Sequence, residues 1–98
     1  AMTERMKAGP AVGIESGRVR ATGWAFAPGA ETGWDRHGHD YVVVPLTDGD
    51  LLIEHPGGAA TTAHLTRGVP YANFIGVDHN VVNTGGENLT FLEIEITG

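Results

Sequence analysis

Short runs of Val, Ile, Thr and aromatic residues, interrupted about every ten residues by glycine-rich turns, restrict this chain to a fold built from many brief strands. Fifteen glycines and five prolines among 98 residues punctuate it, and no stretch sustains the i, i+3, i+4 spacing of an amphipathic helix. Strands are expected at residues 12–15, 18–27, 36–46, 51–54, 60–65, 69–74, 77–83 and 89–96. Their turns include Thr47-Asp48-Gly49-Asp50 and His55-Pro56-Gly57-Gly58. In the last strand Leu92, Ile94 and Ile96 alternate with Glu93 and Glu95, the pattern of one buried and one solvated face. An all-β jelly-roll sandwich or barrel follows. Only 2–8 has a helix-like composition, and it stops at Gly9-Pro10. Residues 1–10 are read as a flexible N-terminal arm, with Ala1 ahead of Met2 a cloning scar, and residues 11–98 as one domain.

Composition removes several kinds of chemistry. Six Lys and Arg against twelve Asp and Glu give a formal charge of −6, which repels phosphate backbones and anionic lipid, so neither nucleic acid nor a membrane is an expected partner. No apolar run is long enough to span a bilayer or to act as a signal peptide, which makes a cytoplasmic location the expectation. The absence of cysteine excludes disulfides, a thiolate nucleophile and thiolate metal sites. The one serine, Ser16, lies in a turn, and the one lysine, Lys7, in the N-terminal arm. Acid–base groups and a metal remain as tools. A domain this small also gains from dimerisation or a metal, and a homodimer that covers a sheet edge is expected.

His37-Gly38-His39 places two imidazoles on one face of an expected strand, about 6 to 7 Å apart along it. His79 is the best third donor, which would leave positions open for water or a small-molecule ligand. Gly33, His37, His39 and Gly49, followed by Gly68, Gly76, His79 and Asn83, resemble the two conserved motifs of the cupin superfamily in residue type and spacing. Residues 27–33 and 40–46 resemble small single-domain bacterial cupins, some of them associated with beta-alanine degradation. The resemblance covers about residues 12 to 97. It implies a double-stranded β-helix and one divalent transition metal, iron, manganese, nickel or zinc, held by His37, His39 and His79.

Two positions depart from that pattern. The family's metal-binding glutamate would fall near residue 43 or 44, where this chain has Val43 and Val44. Phe74 stands where proline is common and is expected to wall the site. Three-histidine cupins include thiol dioxygenases, so the implied function is a metal-dependent enzyme acting on a small polar metabolite, by dioxygenase-like or isomerase/lyase chemistry. The alternative is a non-catalytic module that binds a metal or small molecule. Tyr41, in phase with His39, is either a site hydroxyl or a core residue. Glu93 is expected on the solvated face, but were that face internal it could supply the carboxylate that Val43 lacks, or act as a general base. His55 and His64 are read as structural or surface residues, Trp24, Phe26 and Phe91 as barrel filling, and Asn83 as a turn-fixing residue.

Overall fold

The computed structural model describes residues 5–98; Ala1, read as a cloning scar, lies outside them with residues 2–4. Among the described residues nine strands form: β1 (Gly9–Glu15), β2 (Val19–Phe26), β3 (Asp35–Arg36), β4 (Tyr41–Pro45), β5 (Gly49–Glu54), β6 (Ala60–Leu65), β7 (Tyr71–Asn73), β8 (Asp78–Asn83) and β9 (Leu89–Ile96). They make a five-stranded sheet of order β1-β2-β9-β4-β7 and a four-stranded sheet of order β3-β8-β5-β6, with every strand pair antiparallel. This is the expected all-β jelly roll. Its core, between the sheets, includes Phe26, Val43, Leu51, Leu65, Val81, Leu89 and Phe91, with Phe26 and Phe91 stacked at 5.4 Å. Burying aromatic and aliphatic side chains of this size stabilises by roughly 1.5–3 kcal/mol each.

Three expectations change. The strand expected over residues 36–46 is broken: β3 belongs to one sheet and β4 to the other, and residues 37–40 form the corner between them. His37 and His39 therefore sit on a bend and not on one regular strand face. Two backbone bonds hold the corner, His37 N–H to Val77 O at 2.9 Å and Gly76 N–H to His37 O at 2.8 Å. Gly76 has φ 92°, which a side chain would resist. Chain bending at a sheet switch is a tertiary event that period-2 patterning does not register.

The faces of β9 are also reversed. Leu89 and Phe91 are buried, so by strand parity Glu93 and Glu95 share the inner face while Leu92, Ile94 and Ile96 point outward. The outer face is apolar because Val42 and Val44 of β4 pair with Ile94 and Leu92; alternation alone cannot say which face meets the core. Finally, residues 5–10, assigned to the arm, are engaged. Ala8 is buried, its N–H bonds Glu31 O, Arg5 pairs with Glu31 and Glu54, and Gly9 and Pro10 begin β1 opposite Ala25 and Trp24.

Gly49 opens β5 with φ 156°, and a Cβ there would run into Leu89 Cδ2. Gly49→Ala is expected to cost about 1–3 kcal/mol by overpacking, read as a lower urea midpoint with unchanged m-value.

Candidate metal centre and cavity

Between the sheets, the corner and β8 bring two imidazoles together. His37 and His79 are both buried, their Nε2 atoms 2.9 Å apart and their rings nearly perpendicular at 84°. The contact requires one Nε2 to carry a proton and the other to present its lone pair. Tyr41, the first residue of β4, stacks on His37 with centroids 4.1 Å apart, and its hydroxyl accepts a bond from Asn73 Nδ2 at 3.1 Å. Asp35 of β3 lies opposite His79 in register and brings Oδ2 to 3.8 Å from His37 Nε2.

These side chains, with Trp24, Val43, Tyr71, Phe91 and Glu93, line a cavity offering about 30 Å³ to the centres of water molecules. That is room for a water or two, or for one end of a small ligand. The cavity shares Trp24, Asp35, His37 and Glu93 with a wider groove of about 520 Å³, which also reaches His39 and Glu95.

The cavity favours neutral forms. Burial, then repulsion from His37, pushes His79 down to about 4, and burial lowers His37 as well. Burial, then Glu95 and Asp35, pushes Glu93 up to about 7. Burial holds the Tyr41 hydroxyl protonated, up to about 12. The Trp24 indole N–H lies near Glu93 and opposes that rise slightly, yet its buried Nε1 makes no hydrogen bond of standard geometry among the described residues.

No family model matches the chain. It is 52% identical over 95 residues to the beta-alanine degradation protein BauB of Pseudomonas aeruginosa PAO1, covering 97% of this chain and 99% of that protein. It superimposes on a cupin domain from Bordetella pertussis Tohama I with TM-score 0.94 and 50% identity, covering 99% of this chain and all of the other. This chain is a small cupin of the BauB family. A double-stranded β-helix domain from Klebsiella pneumoniae, 21% identical with TM-score 0.78 over 99% of this cupin and 83% of that chain, shares the fold.

Within this cupin, His37, His79, Tyr41 and Glu93 meet at the cavity, whereas His39, half-buried on the corner, lines the groove beside it. Val43 faces the cavity where the motif's glutamate would stand, and its register partner across β4 and β9 is Glu93. A carboxylate thus reaches this wall from the neighbouring strand. Phe74, expected as an aromatic wall, is 71% exposed and lines neither cavity nor groove; its bend after β7 turns it outward. His64 bonds Asp50 at 2.6 Å on the exposed face of β6, and His55 bonds Thr61. Trp24 lines the cavity, while Phe26 and Phe91 fill the core.

Asp35 and Asn73 escaped the sequence reading. Asp35 has the same odd parity as His37, Tyr41 and Val43, a signal that was present. Asn73 had none, because its contact with Tyr41 depends on the β4–β7 pairing.

Among the described residues no group of three or more His, Asp or Glu side chains is arranged to hold a metal ion as they stand. The donor chemistry nevertheless suits one. Two weakly basic imidazoles converge at a separation close to that of neighbouring nitrogen ligands, each about 2.0–2.1 Å from a shared ion. Asp35 and Glu93 in the same wall are carboxyl groups whose charged forms a cation would stabilise.

Proposed function

We propose that this cupin binds one first-row divalent ion, iron, manganese, nickel or zinc, through His37, His79 and His39, and acts as a metal-dependent enzyme on a small polar metabolite. The approach of His37 Nε2 to His79 Nε2 carries this reading: two imidazoles are held together away from water, one Nε2 presenting its lone pair and the other sharing a single proton that an ion would displace, and burial weakens proton competition for both rings. His39 would complete the set by turning from the groove toward the pair. When bound, the ion would supply Lewis-acid chemistry or a site for dioxygen.

The protein groups divide the remaining work. Glu93, neutral or charged near pH 7, exchanges a proton with the ligand. Tyr41, kept protonated by burial and oriented by Asn73, offers an O–H donor. The apolar wall of Val43, Leu51, Val81 and Phe91 limits water at the inner end. The relative's role in beta-alanine degradation supports a small polar metabolite as substrate. We also propose a cytoplasmic homodimer with no nucleic-acid or membrane partner. The edge strand β1 is exposed along its whole length and offers a second copy a place to pair, which light scattering on a sizing column would reveal as twice the chain mass. Among the described residues no helix is long and apolar enough to cross a membrane.

The second reading is a binding module without turnover, favoured by the narrow cavity and by the convergence of only two donors. Elemental analysis separates the proposals from each other and from error. Protein purified without a nickel column should carry near-stoichiometric metal, falling at least tenfold in His37→Ala, His79→Ala and His39→Ala. Metal retained in all three variants, or no uptake by folded wild type offered iron, manganese, nickel or zinc, would overturn the metal site. Metal with no turnover of small carboxylates or thiol acids would leave the binding module.

A further inference from the structure

The two sheets differ on their outer faces. In the four-stranded sheet Leu51 and Val81 are buried, so by strand parity Asp50 and Glu54 of β5 and Asp78 of β8 point outward, where His64 of β6 joins Asp50. That is an ordinary solvated face. The five-stranded sheet has none. Its register lines up Ile14, Ala21, Ile94, Val42 and Ala72 in one row across all five strands, and Ala11, Gly23, Leu92 and Val44 in the row beside it. Among the described residues no outward position of these strands carries a charge, although the whole chain has a formal charge of −6. At two corners of the face Ile14 and Ile96 are 59% and 47% exposed. Apolar surface this continuous marks a place where another molecule sits.

Five strands about 4.8 Å apart, and the run from Thr90 to Ile96 at about 3.3 Å per residue, make the face about 24 Å by about 20 Å. Covered by an equal face, it takes roughly 1,000 Å² in total out of water, the area at which a specific interface begins. The relief of the face selects the occupant. Leu92 and Ile94 of β9 with Val42 and Val44 of β4 form a ridge, and β2 beside them offers Ala21, Gly23 and Ala25 as a shelf. We infer that a second copy of the chain docks here face to face, about a two-fold axis that runs parallel to the strands between β2 and β9. That rotation exchanges the two halves of the sheet. Ile94 of one copy then lies over Ala21 of the other and Leu92 over Gly23, twice by symmetry, so the face is its own complement. Being neutral, it also lets two acidic chains meet without placing like charges together. The inference rests on the homodimer proposed above and names the surface that forms it, with the β1 edge at its margin.

Sedimentation equilibrium on the full chain tests this. Ile94→Lys sets a charge in the face once in each copy, and the dissociation constant of the dimer should rise at least about a hundredfold. Gly23→Leu fills the shelf instead. A Cβ at Gly23 meets nothing closer than Ala11 O at 3.8 Å and Leu92 Cδ2 at 3.9 Å, so the folded chain accepts it, yet the clash with the facing ridge should raise the constant at least about tenfold. Val12→Lys charges the edge strand on the other side of the sheet, opposite the buried Thr22, and should change the constant little. An unchanged circular dichroism spectrum in each variant shows that the fold is intact. A dimer that survives Ile94→Lys, or that Gly23→Leu leaves as tight or tighter, would overturn this face while leaving the homodimer. Loss of the dimer in Val12→Lys alone would move the second copy to the edge and overturn the face as well. A wild type that stays monomeric at every concentration would remove the homodimer itself.

Discussion

Glu93→Gln is expected to stabilise the metal-free protein by about 2 kcal/mol at pH 8 and to change it little at pH 4. Glu93 sits on the inner face of β9, where burial, then Glu95 and Asp35, raise it from 4.5 to about 7. A raised folded value means that the unfolded chain releases this proton more readily. Stability linked to Glu93 is therefore fully present below pH 4.5 and is lost as pH rises through about 7. Glutamine keeps the shape without the charge. His79 works in the opposite sense: its value drops from 6.5 to about 4, so stability linked to it is present above pH 6.5 and is lost as pH falls through about 4.

Between about pH 4.5 and 6.5 the two slopes oppose each other in the wild type. The glutamine variant should expose the histidine slope, with stability climbing as pH rises from 4 to 6.5. Urea unfolding at pH 4, 6 and 8 checks both statements. A variant no more stable than wild type at pH 8 would mean that the Glu93 carboxylate is well satisfied in the cavity, and the acid–base role proposed for it would fail with that result.

Asn83→Ala should cost about 3 kcal/mol or more, lowering the melting temperature by roughly 12 °C or more. Asn83 ends β8 with 0% exposure. Its Nδ2 donates to Glu87 O at 2.8 Å and to Phe26 O and Ala27 O at 3.3 Å, and its Oδ1 accepts from Gly85 N–H at 3.0 Å. One amide therefore ties the end of β2 to the turn between β8 and β9. Alanine would take the partner from a buried carbonyl, Phe26 O, and from three part-buried groups, Ala27 O, Glu87 O and Gly85 N–H, and an unsatisfied buried group costs about 1–3 kcal/mol before relaxation. Asn83→Asp should be worse, since it sets a carboxylate among three carbonyl oxygens. Thermal melts followed by circular dichroism decide this, and a loss below about 1 kcal/mol for alanine would show that water replaces the amide.

Much of the fold was legible because its signals are local. The hairpin of β5 and β6, the extents of β2 and β9 and the buried odd-numbered residues of β4 follow from period-2 patterning and turn chemistry, which act over a few residues. The role of Asn83 in fixing a turn was legible for the same reason. The centre was legible in part. His37 and His79 lie in contact, and Tyr41, for which the sequence leaves a site hydroxyl and a core residue equally open, stacks on His37; His39 lies on a bend where a regular strand is expected, and Asp35 shares the parity of its neighbours.

The chain's own residues determine that it is an all-β protein without cysteine, that it carries a formal charge of −6, and that histidines at three spaced positions are its candidate donors. Only the tertiary structure decided that β3 and β4 lie in different sheets, that Glu93 and not Leu92 or Ile94 faces the interior, and that the carboxylate missing at Val43 is offered from its partner strand. Period-2 alternation names two faces but carries no information on which one a second sheet will cover. That choice is made by the packing of Phe26, Leu89 and Phe91 against residues far away in sequence.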